Sequence, residues 1–175
     1  MVTYLACRVL QRELSDLGQS DRVTYFEPLC HRLRASQFTE YVASLVQGHA
    51  ALLCGDCGGL AEVARDAGVP IPHYDDCIQM LLPGVDREPN TFYLTDGWVE
   101  HFDVIFGLDR LSAQAKNSVT RTIFAGIRKV VFVSTGSNRE GEMRARSMAE
   151  AIGCDFASVR GSLTGLSRVL EELVE

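Results

Sequence analysis

The sequence predicts an α/β fold, a Rossmann-like three-layer sandwich around a mostly parallel sheet. Short apolar runs alternate with stretches of helical periodicity from one end to the other. Runs such as Ala50–Leu53 are apolar throughout, as strands covered on both faces must be. A length of 175 residues suits a single α/β domain spanning 1–175, and no repeat, linker or low-complexity tract divides it.

Val2–Cys7 reads as the first strand, followed by an amphipathic stretch through Val9, Leu10, Leu14 and Leu17 that Gly18 closes. Arg22–Glu27 is a second strand. A helix over Ser36–Gln47 puts Phe38, Tyr41, Val42 and Leu45 on one face. Ala50–Leu53 is a third strand, and Gly58-Gly59 opens a helix over Leu60–Ala67 that Gly68 stops. Val69–Ile71 reads as a short strand, and Asp75-Asp76 suit the cap and first turn of a helix reaching Leu82. A polar loop over Pro83–Asn90 leads to a brief strand at Thr91–Leu94, then helices at Gly97–Phe106 and Asp109–Phe124. Lys129–Ser134 is the clearest strand. A turn over Thr135–Asn138 caps a helix at Arg139–Ile152, and Phe156–Val159 and Leu163–Val174 complete the series as strand and helix.

The net charge of −6 and a pI near 5.2 give no electrostatic reason to expect nucleic acid or anionic lipid as a partner. No apolar run is long enough to span a membrane, and the N-terminus has no signal-peptide pattern. Six cysteines in such a chain point to the cytoplasm, where thiols stay reduced and serve metals or catalysis more often than disulfides.

Three of the cysteines, Cys7, Cys57 and Cys77, each come just after a strand-like run. In a parallel sheet those positions share the carboxyl edge, where open α/β sheets bind their ligands. One thiol-rich pocket is the expectation. His31, past the second strand, reaches the same edge only if that strand runs parallel to the first and beside it. Three thiols and an imidazole make a tetrahedral zinc set; an iron–sulfur cluster, which prefers cysteine alone, is the alternative. Cys54-Gly-Asp-Cys57 also has the spacing of a redox dithiol, but Cys54 reads as a packed strand residue. Cys30 borders the edge, Cys154 lies away from it, and His49 and His101 are ordinary. Gly58, Gly59, Gly136 and Ser137 stand at strand-to-helix turns whose backbone N–H groups can hold an anion or other ligand. The bland alternative there is a capped helix start, and for Trp98 a packing aromatic.

Several strings resemble the DUF1638 family: Arg8-Val-Leu-Gln-Arg-Glu-Leu14 after Cys7, Pro28-Leu-Cys-His31, Cys57-Gly-Gly, Asp76-Cys77-Ile78, Thr91-Phe-Tyr-Leu-Thr-Asp-Gly-Trp98 and Val133-Ser-Thr-Gly136. The resemblance runs from Cys7 to about Gly161 and into the final helix. It implies functional positions at Cys7, His31, Cys57 and Cys77. It also departs from the family pattern: Asp75 stands where a His is common, Cys54 is an additional thiol, and the sequence stops where relatives continue into another strand. Some relatives are encoded beside corrinoid-dependent methyltransferases, which implies one-carbon chemistry with a corrinoid protein or methyltransferase as partner. Three functions follow as expectations. The first is a zinc or iron–sulfur thiolate protein. The second is a metal-free thiol or redox enzyme using Cys57 with Cys54 or Cys77. The third is a non-catalytic accessory protein of a corrinoid methyltransferase system.

Overall fold

The computed structural model describes residues 3–136 and 138–172. Strand β1 (Tyr4–Cys7) passes through a 3-10 turn at Arg8–Leu10 into α1 (Gln11–Asp16). Then come β2 (Val23–Phe26), α2 (Ala35–Val46), β3 (Ala51–Leu53), α3 (Leu60–Ala67) and α4 (Cys77–Leu81). The second half holds β4 (Thr91–Leu94), α5 (Asp96–Glu100), α6 (Phe102–Ile105), α7 (Ala113–Ile123), β5 (Lys129–Ser134), α8 (Arg139–Ile152), β6 (Asp155–Arg160) and α9 (Thr164–Glu172). The expected strand start at Val2, the turn residue Ser137 and the helix end at Val174 lie outside the described residues.

The fold is α/β with parallel pairing, but the strands form two sheets, not one: β2-β1-β3 and β4-β5-β6. β1 pairs in parallel with β2 (Tyr4 opposite Val23) and with β3 (Tyr4 opposite Ala51), while β5 pairs in parallel with β4 and β6. The expected strand at Val69–Ile71 is absent. Pro70 and Pro72 flank Ile71 and have no N–H to give a ladder. The segment keeps one backbone bond beside β3, from Leu52 N–H to the Pro70 carbonyl at 3.0 Å. Gly97–Phe106 breaks at His101 into α5 and α6, and α7 begins at Ala113, where the Ser112 hydroxyl accepts from the Ala115 N–H.

Alternation along β1 and β3 explains why these strands are apolar at every position. Tyr4, Ala6, Ala51 and Leu53 enter a core that also takes Leu10 and Leu14 beside α1 and Val130–Val133 of β5. Leu5 and Leu52 face the other way, onto Phe38, Val42 and Val46 of α2 and Leu60, Val63 and Ala64 of α3. Each fully buried Leu or Phe in these layers contributes roughly 1.5–3 kcal/mol. Helix α1 therefore covers one face and α2 and α3 the opposite face. The chain reverses its winding at β1, so a crevice opens at the carboxyl ends of β1 and β3.

Candidate thiol-lined site at the sheet edge

Cys7 is the last residue of β1, and its partner across the ladder is Phe26 at the end of β2. Cys54 follows β3 and is 2% exposed, turned into the core of α2 and α3. From there a tight turn carries Cys57 toward solvent. Gly55 makes the turn possible, because a Cβ at that position would lie 2.2 Å from the Asp76 Cα. The Asp56 N–H donates to the Tyr74 carbonyl at 2.8 Å, and its carboxylate accepts from the Ala61 N–H at 2.8 Å in the first turn of α3. Gly59, with φ of 89°, sits in the left-handed region as the cap of that helix. This locked turn sets Cys57 against the start of α4.

Cys77 opens α4, so a helix cap delivers it to the edge where a strand end was expected. Asp76 accepts from the Gln79 N–H at 3.0 Å and holds the Arg87 guanidinium through both carboxylate oxygens, one bond measuring 2.6 Å. Burial would raise the Asp76 carboxyl, but Arg87 and the backbone N–H groups of Gln79 and Ile78 outweigh it and keep it below the usual range. The Trp98 indole N–H donates to Cys77 Sγ at 3.2 Å. Trp98 is 8% exposed and lies in the wall of a cavity.

That cavity, of about 380 Å³, lies between the two sheets. Cys30, His31, Asp56, Cys57 and Gly58 come from the loops after β2 and β3, and Asp75, Asp76, Ile78 and Arg87 from around α4. Thr91, Phe92 and Tyr93 of β4 and Trp98 of α5 close the far side. β2 is parallel and adjacent to β1, as the approach of His31 to this edge requires. The His31 ring packs against Trp98 at 5.3 Å and Phe106 at 5.6 Å between ring centres. Burial by these neighbours lowers its pKa against the opposing pull of Asp76, which keeps the imidazole neutral at pH 7.

The thiols feel one another. Burial first, then the charges of Cys77 and Cys57, push the Cys7 thiol well up. Burial followed by Cys57 does the same to Cys77, with the Trp98 hydrogen bond opposing. Cys54 is raised by burial and then by Cys7, Cys57 and Cys77. At Cys57 the largest influence is the Cys30 sulfur beside it, then burial. All these thiols are protonated at neutral pH. Sequence reasoning placed Cys30 at the border of the site only, left Arg87 out, and favoured a packing role for Trp98; a lone cysteine, arginine or tryptophan gives no periodic signal of its neighbours. Cys154 lies at the opposite edge, donating to the Ile127 carbonyl at 3.3 Å.

The donor types suit a soft metal, three thiols and a neutral imidazole at one sheet edge. Their arrangement is not coordinating: among the described residues no group of three or more His, Cys, Asp or Glu side chains is placed to hold a metal ion. Gly58 borders the cavity, whereas Gly59 faces a separate groove between α2 and α3. Gly136 does not line this cavity. Its surroundings are acidic, with Asp16 3.8 Å from where a Cβ would sit and Glu13 accepting from the neighbouring Thr135 hydroxyl at 3.3 Å.

A family model described as "Protein of unknown function (DUF1638)" matches residues 35–170. The chain belongs to the DUF1638 family. The DUF1638 match contains Cys54, Cys57, Cys77 and Trp98, while Cys7, Cys30 and His31 precede it. No curated protein and no solved structure matches the chain significantly. Among the described residues of this DUF1638 protein, no helix is long and apolar enough to cross a membrane.

Proposed function

We propose that the edge of the β2-β1-β3 sheet is a soft-metal thiolate site, with Cys7, Cys57, Cys77 and His31 as ligands and zinc as the metal. The observation that carries this reading is the delivery of Cys7, Cys57 and Cys77 to one crevice by three separate segments, the end of β1, the turn after β3 and the start of α4, with Cys7 packed in one cluster with Cys77 and in another with Cys57. Burial argues in the same direction. A nucleophilic cysteine needs a depressed pKa, and these are raised, whereas a metal ion displaces the protons outright. The neutral His31 imidazole is in its ligating form. Side-chain rotation must draw the four together, which for Cys77 means yielding or sharing the Trp98 hydrogen bond. A zinc ion held there with a replaceable ligand supplies activation of a substrate thiol or of water. Methyl transfer beside a corrinoid protein is the metabolic setting of this reading, and it rests on the family resemblance.

Metal analysis of anaerobically purified protein tests the site. The expected result is one zinc per chain and no visible cluster absorption; iron with sulfide would replace zinc by the cluster. Cys57→Ser, Cys77→Ser or His31→Ala should weaken zinc binding by at least about 10–100-fold in competition with a chromophoric chelator. Cys54→Ser and Cys154→Ser should bind as the parent does. Equal affinity across all five variants would remove the metal from this edge.

A further inference from the structure

We propose that Cys30 and Cys57 form a reversible dithiol–disulfide pair at the mouth of the cavity, oxidised by small-molecule disulfides. The pairing is specific to these two. They lie in separate turns after β2 and β3, both are partly buried, both line the same cavity, and a side-chain hydrogen bond joins them. The competing partners are held elsewhere. Cys54 is 2% exposed and turned into the core of α2 and α3, Cys77 is 6% exposed with its sulfur taken by Trp98, and Cys7, at the end of β1, does not line the cavity. Cys154 stands at the opposite edge of the other sheet, bonded to Ile127. Despite the C-x-x-C spacing of Cys54 and Cys57, Cys54 does not line the cavity, where Cys57 meets Cys30.

The chemistry is ordinary exchange. The Cys30 sulfur, as thiolate, attacks one sulfur of a disulfide RSSR; that S–S bond breaks and one RS⁻ leaves, taking up a proton as RSH. Cys57 then gives up its proton and attacks the Cys30 sulfur of the mixed disulfide, and a second RSH departs. Two electrons and two protons pass from the protein thiols to RSSR. The inference does not depend on a metal, although the disulfide would withdraw Cys57 from the proposed ligand set and so release zinc.

The full chain, stripped of metal by chelator and reduced, is equilibrated with mixtures of glutathione and glutathione disulfide, acid-quenched, alkylated and mapped by mass spectrometry. A Cys30–Cys57 linked peptide as the dominant internal disulfide, appearing at one midpoint ratio, is expected. Emission of Trp98, the chain's only tryptophan and part of the cavity wall, should change at the same ratio. Cys57→Ser should leave Cys30 as a stable mixed disulfide with glutathione. A dominant Cys7–Cys57, Cys54–Cys57 or Cys57–Cys77 link in the parent, or no internal link when Cys30 and Cys57 both carry glutathione, would overturn the proposal. Because the decisive map is of the parent, misfolding of a variant does not blunt it, and failure here leaves zinc stoichiometry of the reduced protein as a separate result.

Discussion

Glu13 is a single residue with a consequence for the whole stability curve. It is fully buried on α1, its Oε2 has no hydrogen-bond partner, and Asp96 and Asp16 add negative charge beside it. Burial first, then these carboxylates, raise its pKa from 4.5 to about 7, against the backbone and Thr135 hydrogen bonds. The folded chain therefore holds a proton that the unfolded chain releases. The contribution is fully present below pH 4.5, falls as pH rises toward 7, and is lost above it. The span corresponds to roughly 3 kcal/mol. Glu13→Gln keeps the shape without the charge. Denaturant unfolding between about pH 5 and 8 should show the parent losing stability relative to Glu13→Gln across that interval; parallel curves would mean that Glu13 is ionised throughout. Asp96, its neighbour, is 5% exposed and accepts from the Asn138 amide at 2.6 Å. In Asp96-Gly97-Trp98, three successive residues thus serve the turn after β5, the 3-10 turn after β1 and the Cys77 thiol. The sequence showed the phrase; its three contacts are with residues far along the chain, so no local pattern could display them.

At the scale of elements, α4 is the vulnerable part of the site. It has five residues, too few to be stable alone, and it starts on Cys77. Its N-terminus rests on Asp76, which caps it, and on Arg87, which grips the cap. Asp76→Ala should cost about 1–2 kcal/mol, the usual loss of a carboxylate cap with some of its ion pair. It should also speed alkylation of Cys77 by exposing it; unchanged alkylation at lowered stability would show that core packing holds Cys77 without the cap. The helix start at Asp75-Asp76 was readable from capping chemistry, because a cap is satisfied by residues three positions away. The strand expected at Val69–Ile71 was not a strand, because two prolines that look like punctuation to a periodicity argument remove ladder donors. His101 similarly interrupts what 3.6-residue spacing alone joins into one helix.

Across the whole molecule the cavity exists because two sheets meet. Gly97 of α5 lies so near the turn after β1 that a Cβ there would be 1.9 Å from the Val9 carbonyl oxygen. Gly97→Ala must push the halves apart, and overpacking of that kind costs about 3 kcal/mol. Thermal unfolding should register the loss, and a variant as stable as the parent would mean that the two halves slide freely. The loop after β2 bridges the same junction, with His31 against Trp98 and Phe106 and Arg32 bonded to Asp109 at 3.1 Å. Strand and helix identities were legible along most of the chain because hydrophobic period and caps act over a few residues. The edge location of Cys7 and Cys57 followed too, since a parallel strand places its carboxyl end by handedness of the crossover. Which thiols line the cavity, that the strands divide into two sheets, and that Trp98 and Arg87 wall the cavity were settled only by tertiary packing. Those are contacts between residues tens of positions apart, chosen by shape and burial, and shape and burial are properties of the assembled core.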